Sequence, residues 1–78
     1  MTVTGAQFLA RFAEQLGLDA PSADEIDALL ALAGVAAHAS ERTAAPVSCW
    51  LAARAGISPR DAHALAVSIA ETLGSPPT

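Results

Sequence analysis

The sequence predicts an all-α fold, a compact bundle of four short helices that forms one domain over residues 1–78. Three observations lead to this prediction. Alanine, the residue with the highest helix propensity, occupies 20 of the 78 positions. Apolar residues recur at helical spacing in four segments, and glycine, proline and capping residues separate these segments. We therefore expect helices at about 4–16, 22–40, 44–55 and 58–73, joined by short loops.

The first helix is predicted to be amphipathic. Phe8, Leu9, Phe12 and Leu16 fall on one side of it, because they are spaced at i, i+1, i+4 and i+8. Gly17 suits the position just after a helix, where a left-handed backbone is common. We expect the apolar side of this helix to join the core.

The second helix has the clearest start, because Ser22 and Glu25 have the spacing of a capping box. We expect this helix to be central and to end between His38 and Arg42, with Gly34 allowing a neighbouring helix to approach closely. Its predicted apolar stripe consists of Ile26, Leu29, Leu30, Ala33 and Ala37.

The last two helices are bounded by proline and glycine. Pro46 is tolerated only in a first turn, so the third helix must begin near Thr43 to Ala45, and Gly56 ends it. Trp50 lies in its apolar stripe and is expected in the core, with an interface position as the alternative.

Ser58, Pro59 and Asp61 give the fourth helix three start signals. We expect this helix to end at Gly74 and a frayed tail to follow. Its predicted buried stripe consists of Ala62, Leu65, Ala66, Ile69 and Leu73.

Charge and composition exclude several classes of function. The net charge is −4, with four arginines and no lysine, which argues against binding to nucleic acid or to an anionic membrane. No apolar run approaches the length of a membrane span, and the first residues lack the pattern of a signal peptide. A single cysteine, Cys49, fits a reducing compartment, so we expect a cytoplasmic protein. Large side chains are few, and a homodimer or another protein partner would supply missing apolar burial.

The most unusual stretch connects the second and third helices. His38 and Arg42 are four residues apart and, together with Glu41, could form a small anion or partner site beside the start of the third helix. Ser48 completes this candidate site. The alternative is structural, with His38 and Arg42 capping carbonyls at the end of the second helix.

Residues 35–51 also carry a resemblance to a known family. They follow a pattern of the type A-H-x-x-x-R-P-A-A-P-hydrophobic-[ST]-[ST]-aromatic-L, with Thr43 in place of the usual proline and Cys49 in place of a hydroxyl residue. The chain thus resembles small actinobacterial helical domains of unknown function, which are often associated with, or fused to, molybdenum-cofactor guanylyltransferase. The resemblance implies an accessory or protein-interaction role near molybdopterin-guanine dinucleotide synthesis, and the family has no established activity to transfer.

Two alternatives come from the residues themselves. The stretch 51–65 is compatible with a helix-turn-helix, in which Arg60 and His63 would face DNA from the fourth helix. Cys49 with His38 or His63 as base would suggest thiol chemistry, but a cysteine beside a tryptophan in a short helix is more typical of a core residue. Because no complete catalytic set and no metal-ligand spacing are visible, we expect a non-catalytic protein without a cofactor or a metal.

Overall fold

The structure is a computed structural model that describes residues 2–73. Four helices follow one another: α1 (Gly5–Leu16), α2 (Ala23–Ala39), α3 (Ala44–Ala55) and α4 (Pro59–Leu73). No strand occurs among the described residues. The predicted all-α bundle of four short helices is thus confirmed, with helix bounds within one residue of those expected. The predicted tail after Gly74 lies outside the described residues.

The starts of α1, α2 and α4 are fixed by capping side chains, whereas α3 begins without a side-chain capping hydrogen bond. Ser22 accepts a hydrogen bond from the backbone N–H of Glu25, and the Glu25 carboxylate accepts one in return from Ser22 N, at 3.1 and 2.8 Å. This is the predicted capping box. A second capping box, which the sequence analysis missed, joins Thr4 and Gln7 at the start of α1. Ser58 accepts from Asp61 N at 3.0 Å and begins α4 as predicted.

Two of the helix ends depend on glycine. Gly17 and Gly56 have φ values of 73° and 76°, a backbone region that side chains with a Cβ rarely adopt. After each glycine the next N–H turns back on the helix: Leu18 N donates to Ala13 O at 2.9 Å, and Ile57 N donates to Ala52 O at 3.3 Å. Both ends are therefore Schellman motifs, and both set the direction of the following loop.

The packed core consists of α2, α3 and α4. Helix α2 packs along both α3 and α4, whereas α3 and α4 touch each other only slightly. Leu32, Ala52 and Ala62 are the buried residues at the meeting point of the three helices, and Leu29, Cys49 and Ala66 pack against them. Helix α1 packs against none of the other three. The short side chains of Ala52 on α3 and Ala62 on α4 let each of these helices lie close to α2.

Most of the large apolar residues predicted for the core are exposed, so that part of the prediction is wrong. Trp50 is 57% exposed, and its ring lies under the guanidinium of Arg54, 5.0 Å from the ring centroid. The α1 face predicted to join the core remains in solvent because this helix has no neighbour. Other predicted core residues that are exposed are Leu30, Leu65, Ile69 and Leu73, and Leu51 of α3 is exposed as well.

Gly34 does not serve the close helix contact that the sequence suggested. A Cβ built on Gly34 would meet no atom within 4 Å beyond its own helix backbone and neighbours. We therefore expect Gly34→Ala to raise the free energy of unfolding by about 0.5–1 kcal/mol, because alanine has the higher helix propensity. Urea unfolding followed by circular dichroism measures this change.

Gly56→Ala is the matched control for Gly34→Ala. The same methyl group is added there at a positive φ, so the substitution is expected to destabilise the protein. A loss of stability in the Gly34 variant would show that a neighbouring segment occupies the space beside this glycine.

Candidate functional site

A concave surface among the packed helices is an apolar groove between α3 and α4, which we call the α3/α4 groove. It exists because both helices lean on α2 while barely touching each other. Two adjoining cavities, of about 280 and 200 Å³, share Ser48, Ala66 and Ile69 and so form one continuous depression. The floor is contributed by α2, through Leu32 at one end and Val35, Ala36 and Ala39 at the other.

The walls of the groove carry large side chains that are half in solvent. The main ones are Leu51 from α3 with Leu65 and Ile69 from α4, and Ile57 closes one end. None of the described residues that line the groove is charged, and Ser48 provides a hydroxyl near its middle. Such a surface can hold another apolar surface, most simply the apolar side of a helix, and it offers little to a charged ligand.

The residues predicted as a site lie in two separate places. His38, Glu41 and Arg42 are exposed around the turn between α2 and α3, and Ser48 lies in the α3/α4 groove. Ser40 caps the end of α2, because both its N–H and its hydroxyl donate to Ala36 O, at 3.1 and 2.7 Å. Within residues 2–73, the side chains of His38 and Arg42 form no hydrogen bond or ion pair, so the described structure does not show them as caps.

Cys49 lies at the edge of the core. Its thiol is partly buried and 3.9 Å from the carbonyl oxygen of Leu29, and it packs against the cluster of Leu32, Ala52 and Ala62. No group of three or more histidine, cysteine or acidic residues within the described part of the chain is arranged to hold a metal ion. None of the described helices is long and apolar enough to cross a membrane.

A second unpartnered apolar surface is the amphipathic side of α1. The rings of Phe8 and Phe12 stack on each other, with centroids 6.0 Å apart, and both are more than half exposed. Leu16 and Leu18 extend this surface toward the end of the helix. On its polar side, Arg11 and Glu14 pair at 3.7 Å, so the charges of this helix cancel.

The accessible surface shows how much burial the isolated chain lacks. The chain has a mass of 7.8 kDa and exposes 6196 Å². A folded monomer of this mass is expected to expose about 4,400 Å². Residues 1 and 74–78 account for at most about 870 Å² of the 6196 Å² exposed, at about 145 Å² each. The other 72 residues, about 7.2 kDa, are expected to expose about 4,100 Å², so an excess of about 1,200 Å² remains. The apolar groove and the apolar side of α1 contribute to this excess.

A comparison with known families matches residues 2–75 to a family described as Domain of unknown function (DUF6457). The chain belongs to this family. The match extends over α1 as well as over the three packed helices, so all four helices are part of the DUF6457 domain. No curated protein and no solved structure matches the chain.

Proposed function

We propose that this DUF6457 domain is a non-catalytic protein-interaction module that holds an apolar helix of its partner in the α3/α4 groove. The observation that carries this proposal is the groove itself, an uncharged apolar depression whose large side chains are left half exposed. Exposed apolar surface of this kind marks protein-binding sites on soluble domains. The position of Cys49 supports the non-catalytic role, because its thiol is partly buried against the Leu29 carbonyl at the edge of the core.

The partner that we propose is molybdenum-cofactor guanylyltransferase of the same organism. The support for this choice is the resemblance of residues 35–51 to actinobacterial domains associated with that enzyme. The proposal places the complex in the cytoplasm, where a lone thiol such as Cys49 stays reduced. The exposed turn with His38, Glu41 and Arg42 would give the same partner a polar contact beside the apolar one.

The test is a calorimetric titration of the purified guanylyltransferase with this domain. Leu65→Glu places a charge in the α3/α4 groove, and we expect it to weaken binding at least about 10-fold, because an unpaired charge would be desolvated in the interface. Leu30→Glu is the control, because Leu30 is also exposed on a helix but lies outside the groove. Equal effects of the two substitutions, or no binding by the unaltered domain, would contradict the proposal.

The turn between α3 and α4 favours one second candidate, a DNA-binding helix-turn-helix. Gly56 has the left-handed backbone and Ser58 the capping bond that such a turn needs, and Arg60 follows on α4. The net charge of −4 opposes binding to phosphates. Fluorescence anisotropy with duplex DNA at low salt tests this candidate. Absence of binding at low salt, where other ions compete least for the phosphates, would rule out DNA binding through this turn.

A further inference from the structure

Residues 2–73 carry both halves of one interface, an apolar helix that none of these residues covers and an apolar groove that none of them fills. We infer that the α3/α4 groove is filled by α1 from a second copy of the chain, in a reciprocal dimer. The inference rests on the proposed function in that it uses the same groove, and it names the occupant in the absence of another partner. A partner helix would then have to displace α1 from the groove.

The dimensions of the two halves agree. Helix α1 has 12 residues and is therefore about 18 Å long. The groove follows α4 from Ala62 to Leu73, a length of about 17 Å. Phe8, Phe12 and Leu16 recur every four residues along α1, as the anchors of a helix in a groove do.

The two halves also agree in chemistry. The groove lining contains no charged residue, and the only charges on α1 are Arg11 and Glu14, which pair with each other. Neither half therefore leaves a charge without a partner when the apolar surfaces meet. The two identical chains repel each other through their net charge of −4, but this repulsion is screened at physiological salt, beyond a distance of about 8 Å.

The excess surface has the size that a stable dimer needs. If each chain buries its excess of about 1,200 Å², two chains bury about 2,400 Å² in total, within the range of obligate homodimers. A reciprocal exchange has two-fold symmetry, so each contact between α1 and a groove occurs twice and no apolar half remains open.

The link between α1 and α2 favours a second copy over the chain's own groove. Gly17 and Leu18 are fixed by the Schellman motif, and Ser22 is fixed by the capping box. Only residues 19–21 remain between them, so four Cα–Cα steps, about 14 Å at most, join Leu18 to Ser22. In this capped conformation α1 contacts none of the other three helices, so its apolar side is left for another chain to cover. A short, capped link of this kind promotes exchange of the helix between chains.

The test is the mass of the chain in solution, measured by light scattering and sedimentation over a range of concentrations. We expect the unaltered chain to reach about 15.6 kDa, twice the 7.8 kDa of one chain. Phe12→Glu on α1 and Leu65→Glu in the groove should each raise the dissociation constant at least about 100-fold, because each places an unpaired charge in the apolar contact. Both residues are exposed in the single chain, so both variants should retain the helical circular dichroism spectrum.

A mixture of the two variants distinguishes exchange from other modes of dimerisation. Phe12→Glu retains an intact groove and Leu65→Glu retains an intact α1, so one of the two contacts can form between them. We expect the mixture to contain a dimer that neither variant forms alone, and Leu30→Glu to dimerise like the unaltered chain. A monomer at all concentrations, a dimer insensitive to both variants, or a mixture that stays at 7.8 kDa would overturn the inference. Any of these results leaves the titration with guanylyltransferase as a separate test of the proposed function.

Discussion

Replacement of Leu32 by alanine is expected to lower the free energy of unfolding by about 2–4 kcal/mol, the largest effect of any single truncation in this domain. Leu32 is 3% exposed and is the only large side chain among the three buried residues of the core. Its removal leaves a cavity between alanines, which have no side chain long enough to fill it. Because a domain of this size has only a few kcal/mol of stability in total, the variant is expected to be close to unfolding at room temperature.

The measurement is urea unfolding followed by circular dichroism at one fixed protein concentration, since self-association would make stability depend on concentration. Leu30→Ala is the control, because Leu30 is 66% exposed on the same helix, and it should change stability by less than about 0.5 kcal/mol. Leu32→Met keeps most of the volume and should remain folded, with a loss below about 1.5 kcal/mol. Equal losses in the two alanine variants would mean that the core has been placed on the wrong side of α2.

Enlargement of Ala62 is expected to be nearly as damaging as truncation of Leu32. Ala62 is 3% exposed and lies where α4 meets Leu32 of α2 and Ala52 of α3. Ala62→Leu adds three carbon atoms where α4 packs on Leu32 and Ala52, at one end of the α3/α4 groove, and the displacement of these helices should cost about 1–3 kcal/mol. For a domain of this size the melting temperature should fall by about 4–8 °C for each kcal/mol.

Ala64→Leu is the control for the Ala62 substitution. Ala64 is exposed on the same helix, two residues away, so the added atoms enter solvent and the melting temperature should hardly change. A stable Ala62→Leu variant would contradict the view that short alanine side chains set the distance between the helices.

The helix bounds could be predicted from the sequence because their causes are local. Ser22 and Glu25, or Gly17 and the N–H that follows it, act within five residues of each other, and the sequence displays those residues side by side. The burial of individual apolar residues could not be predicted in the same way. Helix α2 has leucines at positions 29, 30 and 32, which point to different sides, and only the directions of α3 and α4 decide which side is covered.

The candidate site shows the same difference between local and distant causes. The unusual composition of residues 38–46 is visible in the sequence, and those residues do form the exposed turn between two helices. The α3/α4 groove depends on how far α3 and α4 lie apart. This separation cannot be predicted from a short sequence pattern. Ser48 was the only predicted site residue that lies in it. Leu65 and Ile69, four residues apart on α4, indicated an apolar side of this helix, but they were predicted to lie in the core and not in a groove.

The position of Trp50 gives the domain an intrinsic optical reporter. It is the only tryptophan, it lies on the outer side of α3 beside Arg54, and it is not among the residues that line the groove. Because Trp50 is 57% exposed, we expect its native emission to be that of an indole largely in water and to shift little when the chain unfolds. A ligand seated between α3 and α4 leaves this wavelength unchanged, whereas a protein that covers the outer side of α3 moves it to the blue.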